Sequence, residues 1–301
     1  MPYAQELEFA LEAVRSATRM VCDIQREMVT PALTKDDRSP VTVGDFASQA
    51  VIAQRLEAAF PADDLVGEEQ GGMLAENQPA LERVVHFVGR QASGATAEAV
   101  QRWIDRGAAR PGDRYWTVDP IDGTKGFLRG EQYAVALALV VDGQVRLGVL
   151  GCPHLAEGGQ QQVGGPGSLL WAVEGQGAWV QPLGAESEQE RRRLHASTRS
   201  DPAQARLLRS VESGHTNEDQ IERVAQQMGV AAAPVRLDSL AKQAVLASGE
   251  GDVLLRLISP SRPDYKEKIW DQAAGKVLVE ESGGRVTDLD GRPLDFSAGR
   301  K

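Results

Sequence analysis

Cysteine is scarce in this 301-residue chain: Cys22 and Cys152 are the only two. Two thiols cannot supply a disulfide framework for a chain of this size, and no CxxC pair occurs, which removes the disulfide-stapled and thioredoxin-like classes. A reducing compartment follows as the expectation. Basic charge is also short, with 33 Lys plus Arg against 43 Asp plus Glu and a formal net charge of -10. A surface that coats nucleic acid needs a basic field, so that class is excluded. No apolar run approaches the roughly 18 residues of a membrane span. The opening MPYAQELEFALEAV has early glutamates and neither the basic n-region nor the apolar h-region of a secretory signal. A cytoplasmic protein without a nucleic-acid or membrane partner is expected, with a monomer as the expected state. No GxxxxGK[ST] loop is present, which excludes a P-loop nucleotide hydrolase. His86, His154, His195 and His215 are dispersed and fit no zinc spacing.

What is present is enough apolar sequence, 42%, to bury one large core or two modest ones. Residues 3 to 28 read as an amphipathic helix, with Leu7, Leu11, Val14, Val21, Ile24 and Met28 at spacings of three, four or seven. KDDRSPVTVGD breaks that period. A second helix is predicted from Asp45 to Phe60. Its only later charges are Arg55 and Glu57, so most of its surface should be buried. LVGEEQGG reads as a short strand and loop, and residues 78 to 106 read as helical. YAVALALVV, Asp142-Gly143 and QVRLGVLGCP form a hairpin with a type I′ turn. SLLWAVEG and AWVQPL form another, after a Gly- and Gln-rich segment, AEGGQQQVGGPG, expected as a mobile loop. LGAESEQERRR, 183 to 193, is the candidate linker, and Arg191, Arg192 and Arg193 read as its solvated face. Beyond it, strand-like segments (RLHAST, PVRLDS, DVLLRLI, RVTDLDG) alternate with helices near 217 to 229, 239 to 248 and 270 to 281. The expected architecture is a layered α/β sandwich. Residues 1–190 form an α+β unit with an antiparallel sheet, and 191–301 a smaller α/β unit.

Four acidic positions stand out: Asp45 at a helix start, Glu68-Glu69 at a strand end, Asp119 and Asp122 in WTVDPIDGTKGFLRG, and Asp271 in KIWDQAAG. Singly, Asp45 and Asp271 read as helix N-caps and the glutamates as a solvated turn. The DPID stretch resists the bland reading. Pro120 fixes its own φ and restricts Asp119, so a bend after it can bring two carboxylates together with a carbonyl between them. Held close without a cation, one would have to take a proton. Carboxylates, carbonyls and water are the ligands of hard divalent cations, and Mg²⁺ with few carboxylates points to phosphate chemistry. Gly123 permits close backbone approach, and a helix starting near Thr124 would turn its N–H groups toward an anion.

SPVTVGD, VGEE, DPIDGT and WDQAAG, in that order, resemble the motif set of the lithium-sensitive, Mg²⁺-dependent phosphatase superfamily that includes inositol monophosphatase. Within it, TKGFLRG, SPVTVGDFASQA and EKIWDQAAG are similar to the 3′(2′),5′-bisphosphate nucleotidases, which convert 3′-phosphoadenosine 5′-phosphate (PAP) to AMP. The resemblance covers nearly the whole chain and implies the same layered fold. It implies two or three Mg²⁺ ions. Glu68, Asp119 and the Ile121 carbonyl hold the first, and Asp119, Asp122 and Asp271 the second. Glu68 reaches a weaker third through water, with Asp45. It implies that Asp45 and Thr124 orient and deprotonate the water that attacks phosphorus in line. Glu69 stands behind these ligands. Gly123 and Thr124 would also contact the phosphate.

For the nucleotide, the resemblance implies His215 in VESGHT, Ser239 and Lys242 in LDSLAK, and Arg256 in LLRL. Read alone, His215 fits a structural histidine and Lys242 an exposed helix position. Arg256 lies in an apolar strand, where a charge requires a partner. Lys125-Gly126 replaces the Thr-Asn usual in inositol monophosphatases. The chain stops at PLDFSAGRK, where relatives usually continue with a further strand, a departure that bears on the stability of the second unit. The implied substrate is PAP, with its sulfated relative PAPS beside it. An inositol phosphate phosphatase and a catalytically silent nucleotide sensor are the alternatives.

Overall fold

The structure is a computed structural model that describes residues 2–27, 33–34, 40–185, 187–211, 216–260 and 263–301. Met28, His215 and residues 35–39 of the predicted breaker segment therefore lie outside the described residues. Helix α1 (Ala4–Glu27) buries a stripe from Ala10 and Leu11 through Val14, Ala17 and Val21 to Ile24, the 3.6-residue period expected of it. Helix α2 (Val43–Ala59) starts two residues earlier than expected and is buried nearly all round from Val43 to Ala53. The stretch 78 to 106 divides into α3 (Gln78–Gly89) and α4 (Ala97–Asp105). The break has local causes. Gly94 takes φ 77°, and the Thr96 hydroxyl accepts from Ala99 N to start a new helix.

Seven strands form the main sheet: β1 (Asp64–Gly67), β2 (Arg114–Asp122), β3 (Ala134–Val141), β4 (Gln144–Cys152), β5 (Ser168–Val173), β6 (Gly177–Pro182) and β7 (Arg192–Arg193). Their order is β7-β6-β5-β4-β3-β2-β1. Every neighbour pair is antiparallel except β1 with β2, which run parallel. The β3–β4 turn has Asp142 and Gly143 at φ 52° and 68°, as a type I′ turn requires. The predicted linker ends inside the sheet, because Arg192 and Arg193 pair with β6 as its edge strand. Within AEGGQQQVGGPG, read as loop, Ala156 and Gln160 pair in a two-residue ribbon.

A second, three-stranded parallel sheet comprises β8 (Leu207–Arg209), β9 (Val235–Arg236) and β10 (Val253–Leu254), in the order β9-β8-β10. RVTDLDG, read as a strand, forms none in the described residues, and DVLLRLI contributes only Val253 and Leu254. Three further helices are α5 (Thr124–Arg129), α6 (Glu218–Gln227) and α7 (Ala241–Ala247), and α8 (Ala273–Glu281) follows Asp271.

The layers follow from which faces are apolar. Helices α1 to α4 cover one face of the main sheet through a core that includes Trp116, Val118 and Leu137. Helices α7 and α8 cover the opposite face, where Ala136, Ala138 and Val140 meet Ala244, Ala274 and Val277. Strand alternation does the rest. Leu208 joins this second core, while its neighbour Leu207 turns the other way to Ile221 and Ala225 of α6. The order is helices, sheet, helices, sheet, helix. No helix among the described residues is long and apolar enough to cross a membrane.

Gly148 of β4 is where α8 comes closest. A Cβ there would stand 2.8 Å from both Ala274 Cα and Ala274 O. Gly148→Ala should therefore destabilise the fold by about 1–3 kcal/mol, the usual cost of overpacking. A lowered denaturant midpoint checks it. Gly184→Ala, where an added Cβ meets nothing within 4 Å, should leave the midpoint unchanged.

Candidate active site

The DPID stretch is strand up to Asp122, and its chemistry comes from a bulge. In a regular strand, residues three apart face opposite sides. Against β3, however, Asp119 pairs with Ala136 and Asp122 with Ala134, so β2 carries one residue more than its partner over that interval. Pro120 sits in the bulge, where its missing N–H costs no ladder bond. The Ser48 hydroxyl of α2 holds the Pro120 carbonyl at 2.9 Å. The extra residue returns Asp122 to the side of Asp119. Gly123 then takes the left-handed conformation, φ 88° and ψ 40°, and α5 starts at Thr124.

Asp119, Asp122 and Asp271 each bring a carboxylate oxygen within 4.8 Å of the other two. Burial, then the charges of Asp122 and Glu68, hold the Asp271 carboxyl well above the usual range. Burial raises Asp122 as well, opposed by the Lys242 cation and the Leu240 N–H. Three crowded carboxyls, one buried and two half-buried, are unfavourable as anions. An all-oxygen donor set with that excess of negative charge suits a hard cation, so the residues present fit a metal.

Asp45 is not a cap. Thr42 is the N-cap of α2, and Asp45, at the third helical position, closes a capping box. Asp45 Oδ2 accepts from Thr42 N at 2.7 Å and from Thr42 Oγ1 at 2.6 Å. Its Oδ1 lies 3.3 Å from Thr124 Oγ1. The same hydroxyl is 3.2 Å from the Ile121 carbonyl. Asp271 is not a cap either. It precedes α8, whose cap position is Gln272.

The glutamates part company. Glu68 lines the cleft, whereas Glu69 is 3% exposed and does not. Gln49, fully buried, donates to the Glu69 and Ile104 carbonyls and accepts from Glu69 N. It fixes the chain immediately after Glu68.

The cleft holds about 400 Å³ and is lined by Glu68, Asp119, Ile121, Asp122, Gly123 and Thr124 from the first part of the chain and by Ser239, Lys242, Arg256 and Asp271 from the second. The two parts are stitched together. Leu240 N donates to Asp122 Oδ2. Asp238 accepts from Arg129 Nη2 at 2.7 Å and from Val211 N at 3.1 Å. Between them Ser239 takes φ 70°, an uncommon conformation outside glycine, and packs against Gly123.

Lys242 is no exposed helix residue. It is 5% exposed, and burial pulls its pKa down to about 8. Arg256, just past β10, has its partner: Nε and Nη2 donate to the Glu267 carboxylate at 2.8 to 3.1 Å, a bidentate pair. Gln272 Nε2 holds Glu267 in turn at 3.2 Å. Gln49, Asp238 and Glu267 have no signature in the sequence, because each acts across more than ten residues on groups that only the fold brings near.

Residues 3–301 match the profile of the inositol monophosphatase family. The chain is 41% identical to "3′(2′),5′-bisphosphate nucleotidase 2" of Candida albicans, over 99% of this chain and 91% of that protein. It is 39% identical to the "3′(2′),5′-bisphosphate nucleotidase" of Schizosaccharomyces pombe, over 100% and 89%. The solved inositol monophosphatase of Anabaena (Nostoc) superposes with a TM-score of 0.64 over 100% of this chain and 90% of that one, at 21% identity, a likeness of fold.

Removing one charge from the crowded cluster gives a signed test. In metal-free buffer, Asp271→Asn should melt at or above the wild-type temperature. Mg²⁺ should raise the Tm of the wild type and leave that of the variant unchanged. Thermal melts with chelator and with Mg²⁺ check both.

Proposed function

This chain belongs to the inositol monophosphatase family, and we propose that within it the chain is a Mg²⁺-dependent, lithium-sensitive phosphatase that removes the 3′-phosphate of PAP to give AMP, with PAPS as a second substrate. The observation that carries this reading is identity of 41% and 39%, nearly end to end, to relatives named as 3′(2′),5′-bisphosphate nucleotidases. The cleft supports it by lining one cavity with the carboxylate cluster, a buried lysine and a clamped arginine.

In this reading Glu68, Asp119, the Ile121 carbonyl, Asp122 and Asp271 hold two or three Mg²⁺ ions. When bound, these neutralise charge on the phosphoryl and leaving oxygens and make water more acidic. The Thr124 hydroxyl donates to Asp45 Oδ1 and accepts from the attacking water, whose proton passes toward Asp45. The capping box keeps Asp45 from turning away. Water adds to phosphorus as the bond to O3′ breaks, which gives inorganic phosphate and a 3′-hydroxyl. Backbone N–H groups of Gly123 and Thr124 receive the phosphate. His215, Ser239, Lys242 and Arg256 hold the nucleotide, and Glu69 keeps the neighbouring Glu68 in place through its backbone ties to Gln49. Residues 1–190 act as the metal-binding phosphatase unit and 191–301 as the substrate-binding unit.

Phosphate release from PAP and inositol 1-phosphate, measured side by side in Mg²⁺, tests the reading. PAP should be preferred by at least tenfold in kcat/KM, and lithium should inhibit. Preference for inositol 1-phosphate would retain the metal chemistry and discard the nucleotide assignments. Lys242 adds a pH test. It loses its charge as pH rises through about 8, so kcat/KM for PAP should fall above that pH. Lys242→Gln should have a lower kcat/KM and lack that alkaline limb.

A further inference from the structure

Arg300 lines the cleft, and its contacts fall beside Glu68 and beside Asp271. Its Nη1 donates to the carbonyls of Gly107 and Ala109 at 3.1 and 3.2 Å, and its Nη2 to the carbonyl of Gly67. Gly67 immediately precedes Glu68. The guanidinium carbon lies 4.9 Å from the Trp270 ring centroid, and the Arg300 carbonyl accepts from Ile269 N at 3.2 Å. Ile269 and Trp270 immediately precede Asp271. The strap that carries Arg300 is itself anchored. Phe296 is buried, and its carbonyl accepts from the buried Tyr115 hydroxyl at 2.6 Å.

We propose that Arg300 is a positioning residue for the metal site, one side chain that sets the separation between Glu68 and Asp271. The proposal rests on the reading of those two as metal ligands. Glu68 follows β1 and Asp271 stands ahead of α8. Arg300 spans the gap. It fixes the peptide before Glu68 while Gln49 fixes the peptide after it, so Glu68 is bracketed on both sides. Three guanidinium N–H groups are already spent on main-chain carbonyls, which argues against a role as a phosphate clamp. A lysine cannot replace it. Its point-like ammonium lacks the planar fork that reaches three carbonyls while stacking on an indole.

The test measures Mn²⁺ binding by electron paramagnetic resonance of the free ion, in wild type, Arg300→Ala, Arg300→Lys and Asp271→Asn. Mn²⁺ affinity should weaken tenfold or more in Arg300→Ala and at least threefold in Arg300→Lys, which keeps the charge and guards against simple unfolding. Half-saturating Mg²⁺ for PAP turnover should rise by the same factors, with the KM for PAP at saturating Mg²⁺ within twofold of wild type. Unchanged Mn²⁺ affinity in both variants overturns the proposal. So does a raised KM for PAP with Mn²⁺ binding intact, which would make Arg300 a substrate contact. Wild-type binding no tighter than that of Asp271→Asn overturns the metal-site reading itself, and this proposal with it.

Discussion

Carboxylates repel, and this fold crowds three of them, one buried and two half-buried, into the wall of one cleft. Asp119, Asp122 and Asp271 present oxygens within 4.8 Å of one another, and burial pushes Asp122 and Asp271 toward the protonated form. Such a cluster lowers the stability of the empty protein and raises its affinity for a cation. The rest of the site reads as a means of holding that arrangement in place. A bulge opposite Ala134 and Ala136 turns two aspartates to one side of a strand. A capping box locks one oxygen of Asp45 and leaves the other toward Thr124.

The cluster draws its carboxylates from separate parts of the fold. Asp122 comes from the long sheet and Asp271 from the turn before α8, so their separation depends on how the layers pack. Gly148 lets α8 lie directly on β4. Leu240 N binds Asp122, Arg129 binds Asp238, and Ser239 accepts a left-handed backbone between those two contacts. Strain of this kind persists where surrounding structure over-determines it, as it does here. The same loop delivers Lys242 beside Asp122, and Glu267 delivers Arg256. The cleft-lining cations Lys242 and Arg256 and the acidic cluster are thus positioned by shared elements.

How much of this could be read from the residues differs by element. The period of α1, the burial of α2 and the Asp142-Gly143 turn were legible, because each depends on spacing within one segment. The acidic positions were legible as chemistry, since DPIDG brings two carboxylates and a glycine together in the chain itself. Asp45 and Asp271 read singly as caps and are not caps, because the residue that caps α2 is Thr42 and the position ahead of α8 is Gln272. Arg192 and Arg193 read as linker and form an edge strand, since a two-residue strand takes its structure from its neighbour rather than from its own pattern.

The sequence by itself determined the local alphabet of the site: which residues can ligate a hard cation, where the backbone can turn left-handed, and which helices have an apolar face. These are properties of near neighbours in the chain, and a spacing of three or four residues carries them. Only the tertiary structure decided which carboxylates meet, that Glu68 faces the cleft while Glu69 turns away, that Lys242 is buried, and that Gln49 binds the Glu69 carbonyl, Glu267 binds Arg256 and Arg300 binds the Gly67 carbonyl. Those outcomes depend on distances between residues up to 233 positions apart. They are set by the packing of sheets on helices, which no local pattern encodes.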